Sequence, residues 1–114
     1  MNKIYHLSSC STCARIIEEL KLKERKFIFQ DIKTEKITKE QLDEMKKMSG
    51  SYESLFSRVA LKYKTLDPKP ATEAEYKKLI LEEYTFLKRP VIISGDKIFV
   101  GNSKKNIEET KKAI

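Results

Sequence analysis

The 114 residues include only two cysteines and one histidine. Zinc draws about four ligands from Cys, His and carboxylates. Cys10, Cys13 and His6 are the local supply, so a zinc centre is poorly provided for, and no metal is expected. No apolar run approaches the ~20 residues that cross a bilayer, so a membrane is not an expected partner. No charged leader with an apolar core and a small-residue cleavage site opens the chain. With so few cysteines, a reducing cytoplasm is the expected compartment. Internal repeats, low-complexity tracts and flavin motifs are missing too.

What is abundant is charge: 24 basic and 17 acidic residues, a net charge of +7, and 36% charged against 39% hydrophobic residues. That balance suits a soluble globular protein, and the length suits a single domain over 1–114 with one core. A basic chain attracts anions, whether a nucleic acid, an acidic protein or an oxyanion. Lys46-Lys47, Lys77-Lys78, Lys104-Lys105 and Lys111-Lys112 are interleaved with Glu and Asp, the pattern of solvated helix faces. No DNA- or RNA-binding motif accompanies them, so nucleic acid is not an expected partner, and a monomer is the expected state.

Both cysteines and the histidine fall in one stretch, Tyr5-His6-Leu7-Ser8-Ser9-Cys10-Ser11-Thr12-Cys13-Ala14. Apolar residues lead in like a strand, and residues 14–23 lead out like a helix. A C-x-x-C at such a turn is a redox signature of the thioredoxin kind. A helix N-terminus presents unpaired N–H groups and a partial positive charge, which stabilise a thiolate and lower its pKa. Cys13 would lie one turn inside on the same face, at a separation that suits a disulfide. Cys10 is therefore expected to be the more exposed and more acidic thiol, and Cys13 the more buried. Three other readings stay open: zinc, a structural disulfide, which would stabilise little across so short a loop, and two unrelated buried thiols.

Taken in order, residues 3–7 read as a strand, and a helix starting at Ser9 or Cys10 turns Ile16, Ile17 and Leu20 inward. Phe27, Ile28, Phe29 and Ile32 mark a second strand ending at Asp31, whose nearly continuous apolar run fits burial on both faces. A parallel pair with a crossover helix follows from this β-α-β start. Thr38-Lys39-Glu40-Gln41 is a capping box, with Ile37 and Leu42 placed as its hydrophobic staple; Leu42, Met45 and Met48 continue at helical spacing, and Ser49-Gly50-Ser51 ends the helix. One or two short helical turns are expected over 52–66, then a turn at Asp67-Pro68-Lys69-Pro70. Thr72-Glu73-Ala74-Glu75 reads as a second capping box, with Tyr76, Leu79, Ile80, Tyr84 and Leu87 at helical spacing. After Pro90, Val91-Ile92-Ile93, the turn Gly95-Asp96 and Ile98-Phe99-Val100 form a hairpin, and a weakly amphipathic helix closes the chain. The expected fold is α/β and thioredoxin-like: a four-stranded mixed sheet flanked by helices, with a compact helical insert at about 38–87 between the β-α-β and β-β-α halves.

Four landmarks in this order carry a family resemblance over essentially the whole chain. They are Ile4-Tyr5-His6 followed by Cys10; Leu55-Phe56-Ser57 with Tyr63 and Leu66; Lys88-Arg89-Pro90-Val91-Ile92-Ile93; and Phe99-Val100-Gly101. The chain resembles the ArsC-type arsenate reductases and the related Spx-type regulators. The resemblance implies a catalytic Cys10, with Cys13 or an external thiol resolving its adduct. It implies a histidine, His6, near that cysteine, either tuning it or merely packing. It implies an oxyanion held by Arg89, with Arg58, Ser11 and Thr12 as further substrate-binding positions, and a cis-proline at Pro90. A second family arginine is expected within 55–63, where Arg58 stands one residue off register. A third is expected at Val100-Gly101-Asn102, where the nearest cations are Lys104 and Lys105. Lysine is a looser oxyanion ligand than a forked guanidinium.

Two activities follow from the resemblance. In the first, the Cys10 thiolate attacks arsenate, and glutathione, glutaredoxin or thioredoxin returns the electrons, with no bound cofactor. In the second, a Cys10–Cys13 disulfide switches a surface that binds RNA polymerase.

Overall fold

The computed structural model describes residues 2–114. Its elements run β1 (Asn2–His6), α1 (Ser11–Glu19), β2 (Ile28–Asp31), α2 (Lys39–Ser49), α3 (Glu73–Glu82), β3 (Val91–Ser94), β4 (Lys97–Val100) and α4 (Lys104–Ala113). Short 3-10 turns occupy Glu53–Leu55, Leu61–Thr65 and Tyr84–Phe86. The chain divides into two compact units, residues 2–35 with 89–114, and Lys36–Lys88.

The first unit holds the sheet, in the order β2-β1-β3-β4. β1 and β2 run parallel with His6 opposite Asp31, and α1 makes the crossover that parallel pairing requires. β3 lies antiparallel to both β1 and β4, and the β3–β4 turn uses Gly95 at a φ of 63°, where glycine has no steric penalty. Ile4 of β1 and Ile92 of β3 share a core with Ile16 and Ile17 of α1, with Leu20, Leu22 and Phe27, and with Ile107 of α4. Burying an aliphatic side chain of this size contributes about 1.5–3 kcal/mol.

Two sequence expectations change in this unit. β2 is not covered on both faces: it is an edge strand, its Ile28 is 54% exposed, and Gln30 is its one buried residue. The apolar run recorded hydrophobicity, whereas coverage depends on strand order, which tertiary pairing decides. The first helix also ends at Glu19 rather than continuing to residue 23. Lys21 takes a φ of 53°, a left-handed conformation that stops a helix, while Leu22 and Phe27 still turn into the core.

The second unit is helical. At its start Thr38 Oγ1 accepts from the Gln41 N–H at 3.0 Å, and Gln41 Oε1 accepts from the Thr38 N–H at 3.0 Å. Ile37 and Leu42 are both buried, as a hydrophobic staple requires. The second cap differs from expectation: Thr72 accepts from the Glu75 N–H, but the Glu75 carboxylate takes the Thr72 hydroxyl and the Ala71 N–H. α3 stops at Glu82, because Glu83 is extended, and Tyr84–Phe86 form a separate turn. Phe56, fully buried, centres an aromatic cluster, its ring 5.8 Å from Tyr63, 5.1 Å from Tyr76 and 5.0 Å from Phe86.

Candidate active site

Cys10 stands at the N-cap of α1 in an extended conformation. Its N–H donates to the Leu7 carbonyl at 2.9 Å, and its carbonyl opens the helix by accepting from the Ala14 N–H at 3.1 Å. This leaves the side chain facing the helix mouth, where N–H groups have no intrahelical partners. Burial pushes the Cys10 thiol up, but the Cys13 N–H, the Cys13 side chain, the Thr12 N–H and the Arg89 charge outweigh it, and the net shift is downward. The thiolate is thus favoured by donors that the start of α1 supplies.

Cys13 behaves in the opposite way. It is 1% exposed, and burial pushes its pKa up to about 11. The Leu7 N–H and Arg89 pull down, while the neighbouring Cys10 pushes further up. Both cysteines are free thiols. The order expected from position in the helix, with Cys10 more exposed and Cys13 more buried, matches their surroundings. One thiol is poised to lose its proton and the other to keep it.

Arg89 lies close enough for its charge to act on both sulfurs. Its peptide bond to Pro90 is cis, as is Asp67–Pro68. Arg89 precedes β3, whose first residue, Val91, pairs with Tyr5 of β1, and β1 leads directly into the Cys10 loop. Strand pairing therefore brings together residues 79 positions apart in the chain, Cys10 and Arg89.

His6 ends β1 and makes an edge contact with Phe29, ring centroids 5.7 Å apart. Burial pushes its pKa down, and the Asp31 charge opposes that. Ser11 is the exposed first residue of α1, and Thr12 contributes its N–H to Cys10. Arg58 belongs to the second unit, where its guanidinium donates to Glu53 at 2.7 Å and to the Tyr76 hydroxyl at 2.8 Å. Lys104 is the exposed first residue of α4.

Sequence reasoning missed Asp31 and Ser8. The Asp31 carboxylate accepts from the Lys33 N–H at 3.1 Å. The nearby Ser8 hydroxyl, with the Lys33 and Ser8 N–H groups, holds it below the usual carboxylate range against the opposing effect of burial. Asp31 had registered only as the end of a strand; the link to Ser8 depends on the parallel register that sets His6 opposite Asp31. Among the described residues, no group of three or more His, Cys, Asp or Glu could hold a metal ion, and no helix is long and apolar enough to cross a membrane.

A four-stranded β2-β1-β3-β4 mixed sheet with a C-x-x-C at the mouth of its crossover helix defines a thioredoxin-like protein. The chain belongs to the ArsC family, which matches residues 5–110. Solved structures agree on the fold. An arsenate reductase from Vibrio cholerae superposes with a TM-score of 0.80 at 14% identity, covering 99% of this chain and 97% of its own. An arsenate reductase (ArsC) related protein from Brucella melitensis gives 0.72 at 25% identity, covering 95% and 92%. A Staphylococcus aureus protein solved in solution gives 0.76 at 25% identity, covering 96% and 97%. No curated protein matches the chain by sequence.

Proposed function

We propose that the protein is a thiol-dependent reductase of arsenate-like oxyanions, with Cys10 as its nucleophile. The observation that carries this reading is the Cys10 sulfur at the mouth of α1, with the Thr12 and Cys13 N–H groups and the Arg89 charge favouring its thiolate. A helix N-terminus also receives anions, and Arg89 adds a guanidinium suited to an oxyanion. The thiolate attacks arsenic(V), and one arsenate oxygen leaves as water after protonation. A second thiol, from Cys13 or an external donor, attacks the Cys10 sulfur. The sulfur–arsenic bond breaks, its electron pair stays on arsenic, and arsenite leaves as arsenic(III) while a disulfide forms. Two thiols are oxidised for each arsenate reduced, so an external reductant restores them: glutathione, glutaredoxin or thioredoxin. No bound cofactor enters, and the reducing cytoplasm is the fitting compartment.

A second reading is favoured by the arginines. Arg58 is held by Glu53 and Tyr76, and Val100-Gly101-Asn102 carries no guanidinium. With Arg89 acting on the thiols and Arg58 engaged by Glu53 and Tyr76, the pair serves instead as a redox switch, Cys10–Cys13 oxidation altering a surface that binds RNA polymerase. Purified protein with arsenate, glutathione and a glutaredoxin or thioredoxin system separates the two. Arsenite production that Cys10→Ser abolishes supports the reductase. No turnover, with oxidation-dependent binding to purified RNA polymerase, overturns it in favour of the switch.

A further inference from the structure

We propose that the cavity between α1 and the β1–β2 side of the sheet is a second ligand site. Its ligand is a small zwitterion with an apolar body: a free amino acid with an aliphatic or aromatic side chain. The cavity lies wholly within the sheet unit and has a volume of about 270 Å³. Cys10 and Cys13 do not line it, so the site is distinct from the thiol chemistry and stands or falls without it.

The cavity follows from strand register and from one small residue. β1 and β2 pair Ile4 with Phe29 and His6 with Asp31. Residues two apart on a strand share a face, so His6 and Phe29 continue the face that carries Ile4. Ile4 is fully buried in one core with Ile16 and Ile17 of α1. The His6 and Phe29 rings, with centroids 5.7 Å apart, form one wall of the cavity. Opposite them α1 contributes Ala14, Ile17 and Glu18, a spacing that places all three on one side of a helix. Ala14 has no side chain beyond its Cβ, and the space next to the rings stays unfilled. After α1 the left-handed turn at Lys21, φ 53°, redirects the chain, and Lys23 completes the lining.

The lining selects the ligand by charge and size. Ile17 is 8% exposed, and Phe29 packs against the core, so the walls are apolar. Glu18 and Lys23 carry opposite charges, and neither forms an ion pair among the described residues. Burial disfavours the charged form of His6, so the imidazole adds no net charge at neutral pH. A plain anion would meet Glu18, and a plain cation would meet Lys23. An uncharged apolar molecule would use neither. A zwitterion places its ammonium towards Glu18, its carboxylate towards Lys23 and its body against Phe29 and Ile17. Clefts for drug-sized ligands hold ~300–1,000 Å³, so the occupant here is smaller, on the scale of one amino acid.

The test is a titration of the isotope-labelled, reduced full-length protein with L-leucine and with L-phenylalanine, followed by heteronuclear NMR. Saturable shifts are expected at the amides of His6, Leu7, Ala14 and Ile17. Leucinamide, which lacks the carboxylate, and N-acetyl-leucine, which lacks the ammonium, are expected to bind several-fold more weakly. Glu18→Gln and Lys23→Gln should each weaken leucine several-fold, the scale of an exposed ion pair. Ala14→Leu, which fills the cavity from an exposed helical position, should abolish binding. The absence of saturable shifts with either amino acid would overturn the proposal. So would leucinamide and N-acetyl-leucine binding as tightly as leucine, since the site would then read only the apolar body. If Ala14→Leu does not fold, as read by circular dichroism, the two charge variants decide by the same criterion. Arsenate turnover plays no part in this readout, so a failure of the reductase reading is seen separately.

Discussion

The sheet unit and the helical unit are built on opposite plans. The sheet unit is assembled from two distant pieces of chain, 2–35 and 89–114, joined by backbone pairing between β1 and β3. The helical unit is one continuous segment, held by local caps, an aromatic cluster and side-chain ties such as Lys77–Asp43 at 2.8 Å and Lys62–Glu83. The contrast explains where chemistry can arise. Long-range pairing sets Arg89 beside residues from the other end of the chain, and it sets Asp31 beside the Cys10 loop. The helical unit also pairs polar groups distant in sequence, such as Lys77 with Asp43, but within one continuous segment.

Substitutions separate the two plans. The largest effect belongs to the aromatic cluster: Phe56→Ala should cost about 3–5 kcal/mol of stability, measured by urea denaturation, because the buried ring touches three others. A loss under 1 kcal/mol would show that the cluster does not hold the helical unit. Arg89→Ala should slow Cys10 alkylation at neutral pH roughly two- to fivefold, since it removes one of several favourable contributions. Arg89→Lys should restore the rate but not the affinity for an oxyanion, which needs the fork. Thr38→Ala should cost about 1 kcal/mol, with no effect on alkylation at Cys10. The smallest effect is electrostatic. Asp43, held low by Lys77 and Tyr52, and Glu83, held low by Lys62, have depressed pKa values. Their stabilisation is present above the ordinary carboxylate range of the unfolded chain and is lost as pH falls through the depressed folded values. Acid titration of the unfolding midpoint should show this, and added salt should weaken it.

How much of this was legible in the sequence depended on the range of each interaction. The Thr38–Gln41 box was readable because both partners lie within one turn. The Thr72 cap was half readable: the Glu75 carboxylate had more than one donor within reach, and it took the Thr72 hydroxyl and the Ala71 N–H. The stop after Glu19 turned on the backbone of Lys21, for which lysine gives no signal. The edge position of β2 and the Asp31–Ser8 link were hidden for the same reason, since both follow from which strands pair. The two cysteines were legible because their inequality arises within one turn, from the N-cap and the first turn of one helix.

The pH dependence of alkylation at each cysteine in the reduced wild-type protein reports that inequality. Burial pushes the Cys13 thiol up to about 11, while the donors at the start of α1 and Arg89 bring Cys10 below an ordinary thiol. At neutral pH the Cys10 thiolate is then much the more populated, an advantage offset in part by the lower nucleophilicity of the more acidic thiolate. Cys10 should therefore react faster than Cys13, with its profile displaced to lower pH. Equal rates, or a faster Cys13, would contradict the assignment of Cys10 as the nucleophile.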